Sequence, residues 1–117
     1  MITSPHQYEI TRSRARAEGQ TLDVLEFWPD YSGRGPLWDA TGQQVELDSL
    51  GLDRTFVERV RGWLDLYDDS RLPIEGDGDS GWLRQGRGIL DALRQALVGR
   101  YEVVTHEGWW GEPGRPF

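Results

Sequence analysis

An α+β fold is predicted, with an antiparallel sheet of about four or five strands and two antiparallel helices packed on one face. Two observations carry this. Period-2 alternation dominates the first fifty residues and returns near the C-terminus. Between them, two stretches switch to the 3.6-residue period of amphipathic helices. The resulting order is β-β-β-β-α-α-β, and a chain of 117 residues is expected to form a single domain over 1–117.

The first two strands read as a hairpin. "HQYEITRSRA" places Tyr8, Ile10 and Arg12 on one side, Glu18-Gly19 supplies a turn, and "TLDVLEFW" follows, giving 7–16 paired with 21–28. Leu25 and Phe27 share one face and Trp28 takes the other. Pro29 has no N–H for a ladder and ends the strand. "PDYSGRG" is loop composition. "PLWD" and "QQVEL" around "ATG" then suggest a second, shorter hairpin, with Gly42 taking a positive φ.

The first helix follows in "LDRTFVERVRGWLDLYDD". Phe56, Val57, Val60, Leu64 and Tyr67 recur at helical spacing, Asp53 is the natural N-cap, and Leu52 can staple onto Val57. Gly62 is unfavourable mid-helix, which points to something packed close to it. Pro73 sets the limit of this helix. In "SGWLRQGRGILDALRQALVGR" the period returns through Trp82, Gly86, Ile89, Leu90, Leu93 and Leu97. Asp79 or Ser80 caps the start, Gly99 the end, and Gly86 and Gly88 permit close approach of another element. "YEVVTHEGWW" is the last strand, and 111–117 is a Gly/Pro-containing loose tail.

Composition narrows the chemistry. There is no cysteine, so disulfides, thiolate nucleophiles and cysteine zinc sites are excluded. All 13 basic residues are Arg, and Asn is absent as well as Lys. Codon usage in a GC-rich bacterial genome explains this better than phosphate recognition does. Net charge is −7, concentrated in residues 21–50, where six carboxylates face Arg34 alone. That balance opposes nucleic-acid binding, which needs a cation for each phosphate contact, and suits a basic protein partner. "MITSPHQYEI" lacks the basic and apolar regions of a signal peptide, and no window has the ~18 apolar residues of a membrane span, so the expected location is the cytoplasm.

The chemistry-bearing motifs each have a simpler structural explanation. "DGDSG" opens like a calcium loop, but the required Gly and Glu positions fall on Trp82 and Gly88, so it reads as a helix-capping loop. "SGRGP" lacks the Lys and the following helix of a phosphate loop. His6 and His106 are not at i, i+4 spacing, and read as structural or surface histidines rather than metal ligands. Asp68–Asp69 and Asp77–Asp79 read as solvated acids; nothing places them in an apolar pocket, as acid/base catalysis would require. No enzyme activity and no cofactor are expected.

Six Trp are present; Trp38, Trp63 and Trp82 are assigned to the core. Trp109 and Trp110, adjacent on a strand, should point to opposite faces, leaving one outside as a candidate anchor. The other candidates are the loop-tip residues Asp30, Tyr31 and Arg34, and the acids Asp23, Glu26, Asp39 and Asp48.

Residues 21–106 resemble small acidic proteins of GC-rich bacteria, some of which are encoded beside secreted polymorphic toxins and are taken to be their immunity proteins. The resemblance is carried by Asp30-Tyr31, Pro36-Leu37-Trp38 and Gly86-Arg87. It implies a monomer or weak dimer that occludes the basic substrate cleft of a cognate toxin. Two alternatives follow from the residues: a regulatory interaction module that could be homodimeric, and a small-ligand binder using the 28–38 loop as a lid.

Overall fold

The computed structural model describes residues 22–31, 34–74 and 76–112. The expected first strand, 7–16, and His6 lie outside them. The fold is α+β: a three-stranded sheet among the described residues, two helices and three short 3₁₀ turns. The strands are β1 (Asp23–Phe27), β2 (Leu37–Trp38) and β3 (Tyr101–Val104); the helices are α1 (Arg54–Asp65) and α2 (Ser80–Ala96).

The sheet order is β2-β1-β3. β2 pairs antiparallel with β1, but β3 runs parallel to β1, with Leu25 opposite Val103. The sheet is therefore mixed and not wholly antiparallel. Parallel neighbours need a long crossover connection, and here the whole α1–α2 segment supplies it. The second hairpin is also smaller than the alternation suggests. "QQVEL" contributes only a bridge from Gln44 to Trp38, because the chain then winds into a 3₁₀ turn, Leu47–Leu50, that carries Leu47 and Leu50 into the core. Gly42 has the expected positive φ, 85°.

Each helix starts on an aspartate. Asp53 accepts from Phe56 N–H, and Asp79 accepts from Trp82 N–H. Between them, Trp63 and Trp82 stack with ring centroids 4.3 Å apart at 12°. Each indole donates to the other residue's carbonyl: Trp63 Nε1 to Trp82 O at 2.9 Å, and Trp82 Nε1 to Trp63 O at 3.1 Å. Both indole N–H groups are thus satisfied while the rings are buried. Gly86 lies under this pair. A Cβ there would stand 2.5 Å from Trp63 Cζ2 and 2.6 Å from Trp110 Cζ3. Trp63 near the end of α1 meets the start of α2, while Arg59, one turn earlier, reaches Gly88, so the helices run antiparallel. Gly62 is different from its expected role: no atom lies within 4 Å of a Cβ built there.

Leu25 and Phe27 of β1 and Val103 of β3 share one core with Val57, Val60 and Leu64 of α1 and Ile89, Leu90 and Leu93 of α2. Trp38, expected in that core, is instead half-buried outside it, its indole donating to Trp28 O at 3.0 Å. Trp109 and Trp110 lie on a 3₁₀ turn, Gly108–Trp110, and not on a strand. Trp110 is 1% exposed and packs edge-on against Phe27 at 5.0 Å.

The segment expected as a tail begins with a tether. Glu112 accepts two 2.6 Å bonds from the Arg94 guanidinium, a 3.0 Å bond from Arg87 and a 2.9 Å bond from the Thr105 hydroxyl. Residues 113–117 lie outside the described residues.

Candidate functional site

Where β1 ends, the chain is pinned so that one aromatic side chain is thrust outward. Trp28 N–H donates to Pro36 O at 2.7 Å, closing the base of the loop. Gln44 braces the same loop, donating to Gly35 O at 2.8 Å and to the Asp30 carboxylate at 3.3 Å. Gly35 is seated against Leu47, where a Cβ would stand 2.7 Å from Leu47 Cγ. With Pro29 buried and the base closed, Tyr31 projects and is 65% exposed.

Tyr31 does not stand alone. Its ring lies 4.7 Å from that of Tyr67, just past α1, and its hydroxyl accepts from Asp69 N–H at 3.2 Å. Tyr67 in turn donates to Asp69 Oδ1 at 2.6 Å. Burial, the bond to Asp69, and the charges of Asp69 and Asp30 all push the Tyr67 phenol well above its ordinary range, so it stays a protonated donor. Asp68 accepts from Ser70 N–H at 2.8 Å, and that backbone bond holds its carboxyl below the usual value.

The electrostatics of this face are one-sided. The C-terminal end of a helix carries a partial negative charge. α1 has no basic residue in its last turn, and Asp65, Asp68 and Asp69 add three carboxylates there. Exposed Leu66 and Ile74 contribute apolar surface near these acids. Tyr67 and Asp69 also help line an open cleft of ≈ 640 Å³, together with Trp28, Ser70, Leu72 and Ile74. Trp28 is backed by Trp109, with ring centroids 5.7 Å apart.

The residues singled out in the sequence divide accordingly. Asp30 and Tyr31 are brought to this face, and Trp109 supports it through Trp28. Arg34 lies 3.7 Å from Glu46. Asp23 is exposed at the start of β1. Glu26 lies 3.3 Å from His106 Nε2. Asp39 holds its own turn, accepting from the Thr41 hydroxyl, Gln43 N–H and Thr41 N–H, and the Thr41 bond leads the effects that lower its pKa. Asp48 is tied to Arg61 at 2.9 Å. Trp110 is enclosed in the core and offers no surface to a partner.

Tyr67 and Asp69 are the members that sequence reasoning missed. Tyr67 fits the apolar period of α1, so it reads as core, and the acids after it read as an ordinary solvated helix end. The usable signal was "LYDDS" itself: an aromatic followed by two carboxylates with no compensating base.

Among the described residues, no group of three or more His, Asp or Glu is placed to hold a metal ion, and no helix is long and apolar enough to cross a membrane. No family model matches the chain, and no curated protein or solved structure is similar to it.

Proposed function

We propose that this chain is an immunity-type inhibitor, acting in the cytoplasm, that binds a cognate toxin domain one-to-one and occludes its basic substrate cleft. The observation that carries the reading is exposed Tyr31 packed on half-buried Tyr67, beside Asp30, Asp68 and Asp69 at the negative end of α1. Aromatic side chains anchor interfaces by burying large, rigid surfaces. A carboxylate rim steers a basic partner into place and repels acidic ones. An interface of standard size, about 1,600 Å² in total, would extend well beyond these five residues.

Co-expression with the product of the adjacent gene tests it. The expected result is rescued growth and a one-to-one complex on size exclusion. Loss of both would remove the proposal. The cleft favours a second reading, a small-ligand site, although Trp28 is the one residue of the 28–38 loop that lines it and the other walls come from 67–78. Occupancy at one hundred times the Kd would add about 2.7 kcal/mol of stability, so a ligand-library melting screen separates the two.

A further inference from the structure

We propose that the cleft lined by Trp28, Tyr67 and Asp69 is a socket for one arginine side chain of the protein partner. The inference rests on the inhibitor reading for the identity of that partner, and names the chemistry by which the partner is gripped.

Shape and charge point to the same occupant. Trp28 and Tyr67 contribute aromatic rings, Leu72 and Ile74 contribute aliphatic surface, and the space of ≈ 640 Å³ accommodates a long side chain with the backbone that carries it. Asp69 sets the polar end. Its Oδ1 accepts the Tyr67 phenol at 2.6 Å, while Oδ2 has no hydrogen-bond partner among the described residues. The carboxylate is thereby oriented with one oxygen to spare.

The surrounding segment is short of cations. Residues 65–79 carry six carboxylates against Arg71 alone. Arg71 is already engaged, its Nη1 donating to Asp79 Oδ2. A cationic group arriving from outside therefore finds excess negative charge.

Among cations, the lining favours guanidinium over ammonium. A guanidinium is planar, stacks on aromatic faces, is weakly hydrated, and presents several donors in a fork to a carboxylate. A lysine ammonium is a compact, strongly hydrated point charge that gains less from flat ring walls.

The test uses the isotopically labelled whole chain and three blocked tripeptides, with Arg, Lys or citrulline at the centre. Citrulline keeps the shape and removes the charge. The expected result is saturable shifts of the Trp28 indole and of the Ser70 and Ile74 amides, strongest for Arg and weakest for citrulline. Asp69→Asn should weaken the Arg peptide about tenfold, the scale of one charge-assisted bond, while resonances away from the cleft stay in place. Should that variant misfold, the ranking of the three peptides on the native chain still decides.

Equal responses to Arg and citrulline, shifts centred elsewhere, or no response at tens of millimolar would each overturn the socket. Equality of Lys with Arg would overturn it too, leaving only a general acidic surface. The titration needs no partner, so failure to find a toxin leaves it standing. Conversely, full toxin binding by a folded Asp69→Asn chain would sink the socket and spare the inhibitor reading.

Discussion

Gly86 and Gly62 occupy interior positions of two neighbouring helices, yet the same substitution should act on them in opposite directions. A methyl group at Gly86 would meet two indole rings at 2.5 and 2.6 Å. Both rings are packed in the core, so the methyl group would force them and their neighbours to shift. Gly86→Ala should therefore destabilise by about 1–3 kcal/mol, the usual range for overpacking. Gly62 meets nothing, so Gly62→Ala should recover about 1 kcal/mol of helix propensity. Denaturant midpoints of the two variants check both signs. Helical periodicity marks each glycine as an anomaly and cannot say which one has a neighbour; the answer depends on where Trp63 and Trp110 fold back. At the surface, Tyr31→Ala and Asp30→Lys should each weaken partner binding roughly tenfold or more, the scale of an interface anchor, with the fold retained by circular dichroism. Calorimetric titration against the partner reads this, and native affinity in both variants would displace the site from this face.

The helices are the elements most legible in the sequence, since their apolar period and aspartate caps are local properties. Their mutual grip is less legible. Trp63 and Trp82 each read as core residues, but their reciprocal indole-to-carbonyl bonds arise only when the helices cross at these positions. Trp82→Phe keeps a stacked ring and removes one donor, so it should cost about 2 kcal/mol, from a lost buried hydrogen bond and an imperfect fill. Thermal unfolding would show it, with the far-ultraviolet helix signal otherwise retained. The short elements were harder to read. "QQVEL" alternates well enough for a strand, but burying Leu47 and Leu50 three residues apart suits a 3₁₀ turn. In "GWW" the same conflict arises, and burial of Trp110 against Phe27 and Trp63 decides it.

For the molecule as a whole, the tether at Glu112 joins three distant parts: α2 through Arg87 and Arg94, the end of β3 through Thr105, and the last turn through Glu112 itself. Arg94 also donates to Val103 O, and Arg87 to Trp110 O, so the arginines span strand and turn together. Burial pushes the Glu112 carboxyl up, but the Arg94 bonds and charge, the Thr105 hydroxyl and the Arg87 charge outweigh it and hold the pKa below the ordinary 4.5. A carboxyl lowered by folding stabilises the native state fully above its unfolded pKa. That contribution is lost as pH falls through the lowered native value. Stability should thus decline on acidification below about pH 4.5. Glu112→Gln should cost about 2 kcal/mol at neutral pH by removing the carboxylate that Arg94 and Arg87 share, while Arg87 keeps Asp91 at 3.2 Å, and should flatten that acid limb. Urea unfolding at several pH values, followed by tryptophan emission, tests both. No sequence pattern announces this tether, because Arg87, Arg94 and Glu112 look like any charged surface residues until α2 and the final turn are in contact.

The parallel pairing of β1 with β3 also sets an order in time. Asp23 and Tyr101, adjacent across the sheet, are far apart in the chain, with both helices between them. While the protein is being synthesised, the central strand has one finished edge and one open edge until β3 emerges. Non-local pairing of this kind is slow to close and leaves strand edges exposed meanwhile. A nascent chain halted before Tyr101 therefore holds both helices yet lacks the pairing of β1 with β3. On the proposed inhibitor reading, protection would begin only once synthesis has passed β3.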